Sequence, residues 1–342
     1  MIRVILFDWG DTVMRLFPDR QGPMACWPEV MAVPGVEEAL QSLQPCYHLA
    51  LATNASESGA GLVRAALRRV GLEAYFASVF TARELGVRKP DPGFFHAVLR
   101  EAACAPEEAV MVGDEYSGDV VGAKEVGLRA IWFNAHGAAC PVVHPLHDGE
   151  VRSMAELPAA VAGLRLPDVV DCLDVLAEQQ VAPATMEHCL AVAAVAFRLA
   201  WRLRDRGEVL DPLLAHRGGL LHDLDKAAAL RQGRAHGELG AEVLRERGHP
   251  ELARIAARHL MFAMLDPHQR PATWEEKLVF YADKVVEGDR VAGVEERLAA
   301  LCRRYPENAE PIQRCLPLVL ELEAEIADRL GVAPADLVGT LA

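Results

Sequence analysis

Four short apolar runs, three of them closed by a polar residue, constrain most strongly how this chain can fold. Val4-Ile5-Leu6-Phe7 leads into Asp8, Leu49-Ala50-Leu51-Ala52 into Thr53-Asn54, and Val110-Met111-Val112 into Gly113-Asp114. Ala130-Ile131-Trp132-Phe133 is the fourth. Runs this short and continuous read as buried strands, and amphipathic helical patterns such as 35–43 and 61–69 fall between them. Strands spaced by helices predict a parallel, doubly wound α/β sheet. Sheets of that kind bind ligands at the carboxyl ends of their strands, where Asp8, Thr53, Asn54 and Asp114 stand.

The alternation stops near residue 165. Met154 to Leu164 reads as a last helix, and Leu166-Pro167 is a natural boundary because the residue before proline is biased out of helix. Two domains follow, 1–165 and 167–342, and a chain of 342 residues suits two cores better than one. Beyond the boundary strand signals vanish. Helical spacing covers 169–179, 183–204, 213–221, 236–247, 250–263, 274–286, 291–303 and 318–330. Breaks fall at Gly207, Gly233, Gly248-His249-Pro250, Pro267, Pro271, Pro306 and Pro317. The second domain therefore reads as all-α.

A net charge of −14 argues against bulk nucleic-acid binding and against anionic membranes. Eight cysteines with no Cys-x-x-Cys pair read as reduced, packed thiols. The start MIRVILFDW shows no signal peptide, and no apolar stretch approaches the ~18 residues of a membrane span, so a cytoplasmic protein is expected.

The helical half places polar groups on apolar faces. His188 lies in a helix lined by Leu190, Val192, Val195, Phe197 and Leu199. His222-Asp223 closes the run Gly218-Gly219-Leu220-Leu221 and precedes Leu224-Asp225-Lys226. His236 opens a helix, His259 sits in another, and Asp283 follows the apolar stretch 278–282. Burying such groups costs several kcal/mol unless something pairs with them, and a metal is an effective partner. Nitrogen and oxygen donors without thiolate suit Mn²⁺, Fe²⁺, Co²⁺, Ni²⁺ or Zn²⁺.

Two resemblances follow from these residues. Asp8-Trp9-Gly10-Asp11-Thr12, Thr53-Asn54, Arg88-Lys89-Pro90-Asp91 and Gly113-Asp114…Asp119 resemble, in order, the four motifs of the haloacid dehalogenase-like hydrolases. The resemblance implies Asp8 as a phosphoryl-accepting nucleophile, Thr53 and Lys89 as phosphate-holding groups, and Mg²⁺ held by Asp8, Asp114 and the Gly10 carbonyl. A carboxylate nucleophile needs a cation to neutralise the incoming phosphate. The set His188 … His222-Asp223 … Asp283 resembles the ligands of the HD-domain phosphohydrolases, with Asp225 where glycine is common. By that resemblance His236 and His259 serve a second metal, Asp223 bridges the two metals or orients the attacking water, and Lys226 reaches a substrate phosphate. Arg217 and Arg258 are further phosphate candidates or solvated charges.

One departure matters. The phosphatases of the first family usually carry a second aspartate two residues after the nucleophile, as general acid/base; here that position is Gly10. Asp11, on an extended segment, is expected to point to the other side. General acid–base help is worth ~10²–10⁴-fold, so weak phosphatase turnover is expected there. The 44 residues between Asp8 and Thr53 and the 35 between Thr53 and Lys89 leave no room for a cap domain. Residues 15–28 read as a surface loop rather than a flap, and His144 and His147 as surface histidines rather than ligands. The acid-rich apolar spacing of 294–341 suits core packing or a homodimer face equally.

The expectation is thus a metal-dependent phosphohydrolase acting on a nucleotide or other small phosphoester through the helical half. One rival makes Asp8 the working nucleophile of the first half. A second is a sensor that binds phosphate ligands with little turnover, the reading Gly10 favours.

Overall fold

The computed structural model describes residues 1–234 and 236–341. It divides into two compact units, Met1–Leu164 and the chain from Arg165 onward.

The first unit holds six strands: β1 (Val4–Phe7), β2 (His48–Thr53), β3 (Ser78–Thr81), β4 (Ala109–Gly113), β5 (Arg129–Phe133) and β6 (Gly149–Val151). They form one parallel sheet in the order β3-β2-β1-β4-β5-β6. Successive side chains point to opposite faces, and both faces are covered. Ile5 and Phe7 enter one core with Leu49, Leu51 and Val112, whereas Val4 and Leu6 enter another with Ala50, Met111 and Phe94. That double burial is why β1, β2 and β4 read as unbroken apolar runs. The chain winds from β1 through β2 to β3 on one side and then returns to place β4 on the other flank of β1. The reversal opens a crevice between β1 and β4, where Asp8 and Asp114 lie.

β3 and β6 escape the sequence reading because they are the edges of the sheet. β3 is a mixed Ser-Val-Phe-Thr, and only Val151 of β6 is buried. His147 departs from expectation. It is fully buried, with Nδ1 3.1 Å from the Tyr116 hydroxyl and its ring against Trp132. A histidine whose apolar ring face packs on two aromatics need not reach the surface.

In the second unit the long helix Pro183–Asp205 packs along Pro212–Leu221 and Trp274–Val285. Around them lie Val169–Glu178, Lys226–Gln232, Glu238–Glu246, Pro250–Arg258, Val294–Arg304 and Ala309–Leu330. Among the described residues no helix is long and apolar enough to cross a membrane. Four details differ from the sequence reading. A two-stranded antiparallel ribbon, β7 (Val286–Glu287) with β8 (Arg290–Val291), follows Asp283; two-residue strands carry no periodicity to detect. Helix Pro250–Arg258 stops before His259 instead of running to 263. His236 lies ahead of its helix, because Gly237 adopts φ +87° and caps the start at Glu238. Pro317 sits inside Ala309–Leu330 rather than ending it. A proline inside a helix costs ~3 kcal/mol or more, and the buried stripe Ile312, Cys315, Val319, Leu322 and Ile326 outweighs it.

Gly219 explains how His188 and His222 come together. A Cβ at 219 would sit 2.6 Å from Cα and 2.8 Å from N of Ala193, so only glycine lets these two helices approach so closely. The clash is with backbone and cannot relax through a side-chain rotation.

Gly219→Ala is therefore expected to destabilise the helical unit by about 1–3 kcal/mol. Gly61→Ala is the counter-case, because Gly61 is helical and its Cβ would meet open space. It should gain about 0.5–1 kcal/mol. Thermal melting of both variants checks the pair; equal shifts of one sign would contradict the packing argument.

Candidate metal centre

Five segments converge in the second unit, the turn ahead of Glu238–Glu246 supplying His236. His188 comes from the second turn of Pro183–Asp205, and His222 and Asp223 follow the end of Pro212–Leu221. His259 follows the end of Pro250–Arg258, and Asp283 lies in the last turn of Trp274–Val285. They form two adjoining donor groups, His188/His222/Asp283 and Asp223/His236/His259, each with donor atoms within 4.8 Å of one another. His222 Nε2 joins them, 3.8 Å from Asp223 and 4.0 Å from Asp283. All six residues placed here from the sequence are brought together.

The imidazoles share one arrangement. His188 Nδ1 lies 2.9 Å from the Gly288 carbonyl, His222 Nδ1 2.7 Å from Gly219, and His259 Nδ1 2.6 Å from Ala256. A backbone carbonyl only accepts, so each Nδ1 donates to it and each Nε2 is turned toward the cluster, that of His188 lying 3.0 Å from Asp283. His222 is fully buried and its Nε2 has no hydrogen-bond partner among the described residues. Burial pushes its pKa down to about 3, so the ring is neutral at pH 7. A buried, neutral imidazole with an unsatisfied lone pair facing two carboxylates is the donor set a divalent cation fits. β7 and β8 thereby gain a purpose, since the turn between them carries the carbonyl that orients His188.

Asp225 is the functional residue that sequence reasoning missed. The resemblance marks it only as standing where glycine is common. It is fully buried, and its Oδ1 lies 2.7 Å from His236 Nδ1. Its Oδ2 accepts from Gly237 N and Gly240 N, both at 2.8 Å. Asp225 thus caps the helix Glu238–Glu246, and the same carboxylate orients His236 toward Asp223 at 2.7 Å. A carboxylate behind a ligating histidine fixes its ring and raises its basicity. Burial alone would lower the pKa of His236, but Asp223 and Asp225 together lift it to about 9. The available signal was the Asp-x-Asp spacing in a turn.

The charges are closely balanced. Burial would raise Asp223 and Asp283, yet both are held far below the usual carboxylate range. Imidazoles and Lys226 do this for Asp223, and Lys284 with His188 for Asp283. Lys284 contacts Asp283 and donates to the His259 carbonyl at 2.9 Å. Arg297 reaches Asp283 Oδ1 at 3.3 Å. Lys226 lies 2.5 Å from Asp223 Oδ2, and its half-exposed side chain is free to reach outward. Its proximity to His222 comes from a turn, not from a continuing helix. Arg217 is no surface charge: it is buried, with Nε 3.2 Å from the Pro167 carbonyl. Arg258 pairs with the buried Glu276 at 2.7 Å. Both are engaged in holding the fold.

The first unit has a second donor group, Asp8/Asp114/Asp119. Lys89 is buried behind it, with Nζ 2.6 Å from Asp8 and 2.5 Å from Asp119. Burial would lower the lysine's pKa, but the two carboxylates outweigh that and raise it. Asn54 fixes the lysine backbone, accepting from Lys89 N at 2.7 Å and donating to Lys89 O at 3.1 Å. Burial and the nearby Asp8 push Asp114 up to about 6, and Thr12 donates to it at 3.0 Å. Thr53 and Gly10 line the same cleft. Asp119, quoted in the motif without a role, belongs to the cluster. Asp11 is not extended. It adopts φ +51° and its carboxylate accepts from Leu16 N at 2.9 Å, which directs it away from Asp8's work.

Comparison with known proteins gives matches for both halves. The family model for haloacid dehalogenase-like hydrolases matches residues 21–133, and that for the HD domain matches 185–287. An uncharacterized protein of Methanocaldococcus jannaschii is 35% identical over 144 residues, which are 39% of this chain and 84% of that protein. Phosphoserine phosphatase of Thermus thermophilus is 44% identical over 86 residues, 25% of this chain and 33% of the enzyme. Glyceraldehyde 3-phosphate phosphatase of Methanothermobacter thermautotrophicus is 39% identical over 69 residues, 20% of this chain and 30% of the enzyme. The chain thus spans about a third of the length of these two phosphatases. A solved protein from Listeria monocytogenes aligns with TM-score 0.44 at 26% identity, covering 48% of this chain and 99% of that one.

The pKa of His236 makes metal uptake testable. At pH 7 the metal-free ring carries a proton that a cation at Nε2 must displace. Loading at pH 7 should release about one proton per chain, and release should fade above about pH 9. Calorimetric titration in buffers of different ionisation enthalpy measures this. Asp225→Asn should weaken binding at the Asp223 group about 10–100-fold. Unchanged affinity would remove Asp225 from the centre.

Proposed function

From a chain that belongs to the haloacid dehalogenase-like hydrolases in its first half, and that carries an HD domain in its second, we propose a metal-dependent phosphohydrolase whose principal site is the helical cluster. The observation that carries this reading is the orphaned Nε2 of His222. It is buried 3.8 and 4.0 Å from the two carboxylates, beside the rings of His188 and His259, whose Nδ1 atoms also face backbone carbonyls. His188, His222 and Asp283 would hold one divalent cation, and Asp223, His236 and His259 a second. When bound, such a cation polarises a phosphoryl oxygen and acidifies a water.

The remaining roles belong to the chain. Asp223, 3.8 Å from His222 Nε2 and 2.7 Å from His236 Nε2, would bridge the two donor groups or orient the attacking water. Lys226, beside it and half exposed, meets a phosphate oxygen. His188, His222 and His259 are locked by backbone carbonyls and need no rearrangement as substrate arrives. A cleft of about 500 Å³ opens beside His236, walled by Leu260, Phe262, Arg245 and Gln269. A cleft of that size with one exposed aromatic face suits a nucleoside as the remainder of the substrate.

The reading is tested by elemental analysis of the purified protein, then a phosphate-release screen over nucleotides and small phosphomonoesters with the metal found. The double variant His222→Ala/Asp223→Ala should lose metal and lower turnover about 10²-fold or more. Asp8→Asn should leave nucleotide turnover within about twofold, the scatter expected of an independent site. A reversed pattern would support the second reading, in which Asp8, gripped by Lys89, is the working nucleophile. Nucleotide binding without product would support a sensor.

A further inference from the structure

The cleft over Asp8 has a composition that restricts what it can take. Its volume is about 540 Å³, with Asp8, Thr53 and Asn54 among its polar groups. Trp9, Leu16, Met24, Trp27 and Leu62 supply an apolar wall. Leu16 and Leu62 are 49% and 38% exposed, two of the few large apolar side chains the fold leaves open, and both line this cleft. No arginine or lysine is among the lining residues, whereas Glu57 and Glu115 are.

The wall is held in place. Arg69 donates to the carbonyls of Ala25, Trp27 and Pro28 at 3.1, 2.6 and 2.9 Å. The Arg20 guanidinium lies 4.1 Å over the Phe17 ring, and Trp27 Nε1 reaches the carbonyls of Gln21 and Gly22 at 3.1 Å. Residues 15–28 are therefore a tied strap. Leu16 also fills the space beside Gly10, since a Cβ there would lie 2.8 Å from Leu16 Cδ1. The wall runs directly beside the nucleophilic carboxylate, and residue 10 has no group to hand a proton to the departing oxygen.

We infer that this cleft selects phosphomonoesters of an uncharged aromatic alcohol and rejects substrates with a second anionic group. Both properties of the cleft point the same way. Aromatic faces and methyl groups bind a ring, and two glutamates without a cation repel a further phosphate or carboxylate. An aryloxide also leaves without protonation far more readily than an alkoxide. Asp8 attacks phosphorus, the P–O(aryl) bond breaks, and the aryloxide departs with the electron pair and takes a proton from water. Water then attacks the phosphorus of the aspartyl phosphate, releases the Asp8 carboxylate, and its proton leaves with inorganic phosphate. With nothing at residue 10 to assist, this second step is the slower.

This inference goes beyond the HD reading and stands without it. The test uses the full chain carrying Asp223→Asn, which silences the helical half, with Mg²⁺ present. Phenylphosphonate and methylphosphonate, which cannot turn over, are titrated by calorimetry. Phenylphosphonate should bind about tenfold or more tightly. Leu16→Ser/Leu62→Ser should bring the two within about threefold and leave methylphosphonate unchanged. Both residues are at the surface, so the variant should fold. With phenyl phosphate, phenol release should show a burst of about one equivalent per chain, absent with glycerol 3-phosphate. Equal affinities in the parent, no binding of either ligand, or a preference that survives both substitutions would overturn the inference. None of these outcomes touches the helical cluster, whose own test is metal content.

Discussion

Two carboxylates buried among apolar helices, Asp223 and Asp283, govern the helical half. An ionised carboxylate out of water is costly unless paired, so every neighbouring element supplies something to it. Lys284 and Arg297 approach Asp283, Lys226 approaches Asp223, and four imidazoles stand around both. The helix ends at His222 and His259 are where backbone carbonyls become available to orient those rings. Gly219 lets two helices close to the separation this requires.

The first half solves a related problem differently. Asp8, Asp114 and Asp119 meet at the sheet's switch point, and the chain provides its own buried cation, Lys89. One lysine among three carboxylates leaves negative charge in excess, and burial together with the neighbouring Asp8 raises the pKa of Asp114. Mg²⁺, the ion the family resemblance implies for this group, fits that excess. The helical cluster instead adds imidazole nitrogens to its carboxylates. Each half therefore has a donor set that fits a divalent cation, oxygen-only in the first and mixed nitrogen and oxygen in the second.

Much of this was legible in the residue pattern. The central strands could be read because they are buried on both faces; the edge strands could not, since β3 mixes serine and threonine with its two apolar residues and β6 buries only Val151. Arg217 and His147 were misplaced for a common reason. Each looks polar in sequence, yet each carries enough flat or apolar surface to be buried once its polar atoms find a carbonyl or a hydroxyl. Residues 15–28 read as a loop because the arginine that ties them, Arg69, is distant in sequence.

The sequence by itself determined the class of each half and offered the candidate donor residues. Side-chain periodicity and the chemistry of His and Asp are local properties, readable one segment at a time. Tertiary structure alone decided how the six helical donors divide into two groups, that Asp225 stands behind His236, and that Leu16 closes the space beside Gly10. Those facts depend on distances between segments far apart in the chain. Such distances are set by how closely backbones can pack, as Gly219 against Ala193 shows, and no local pattern encodes them.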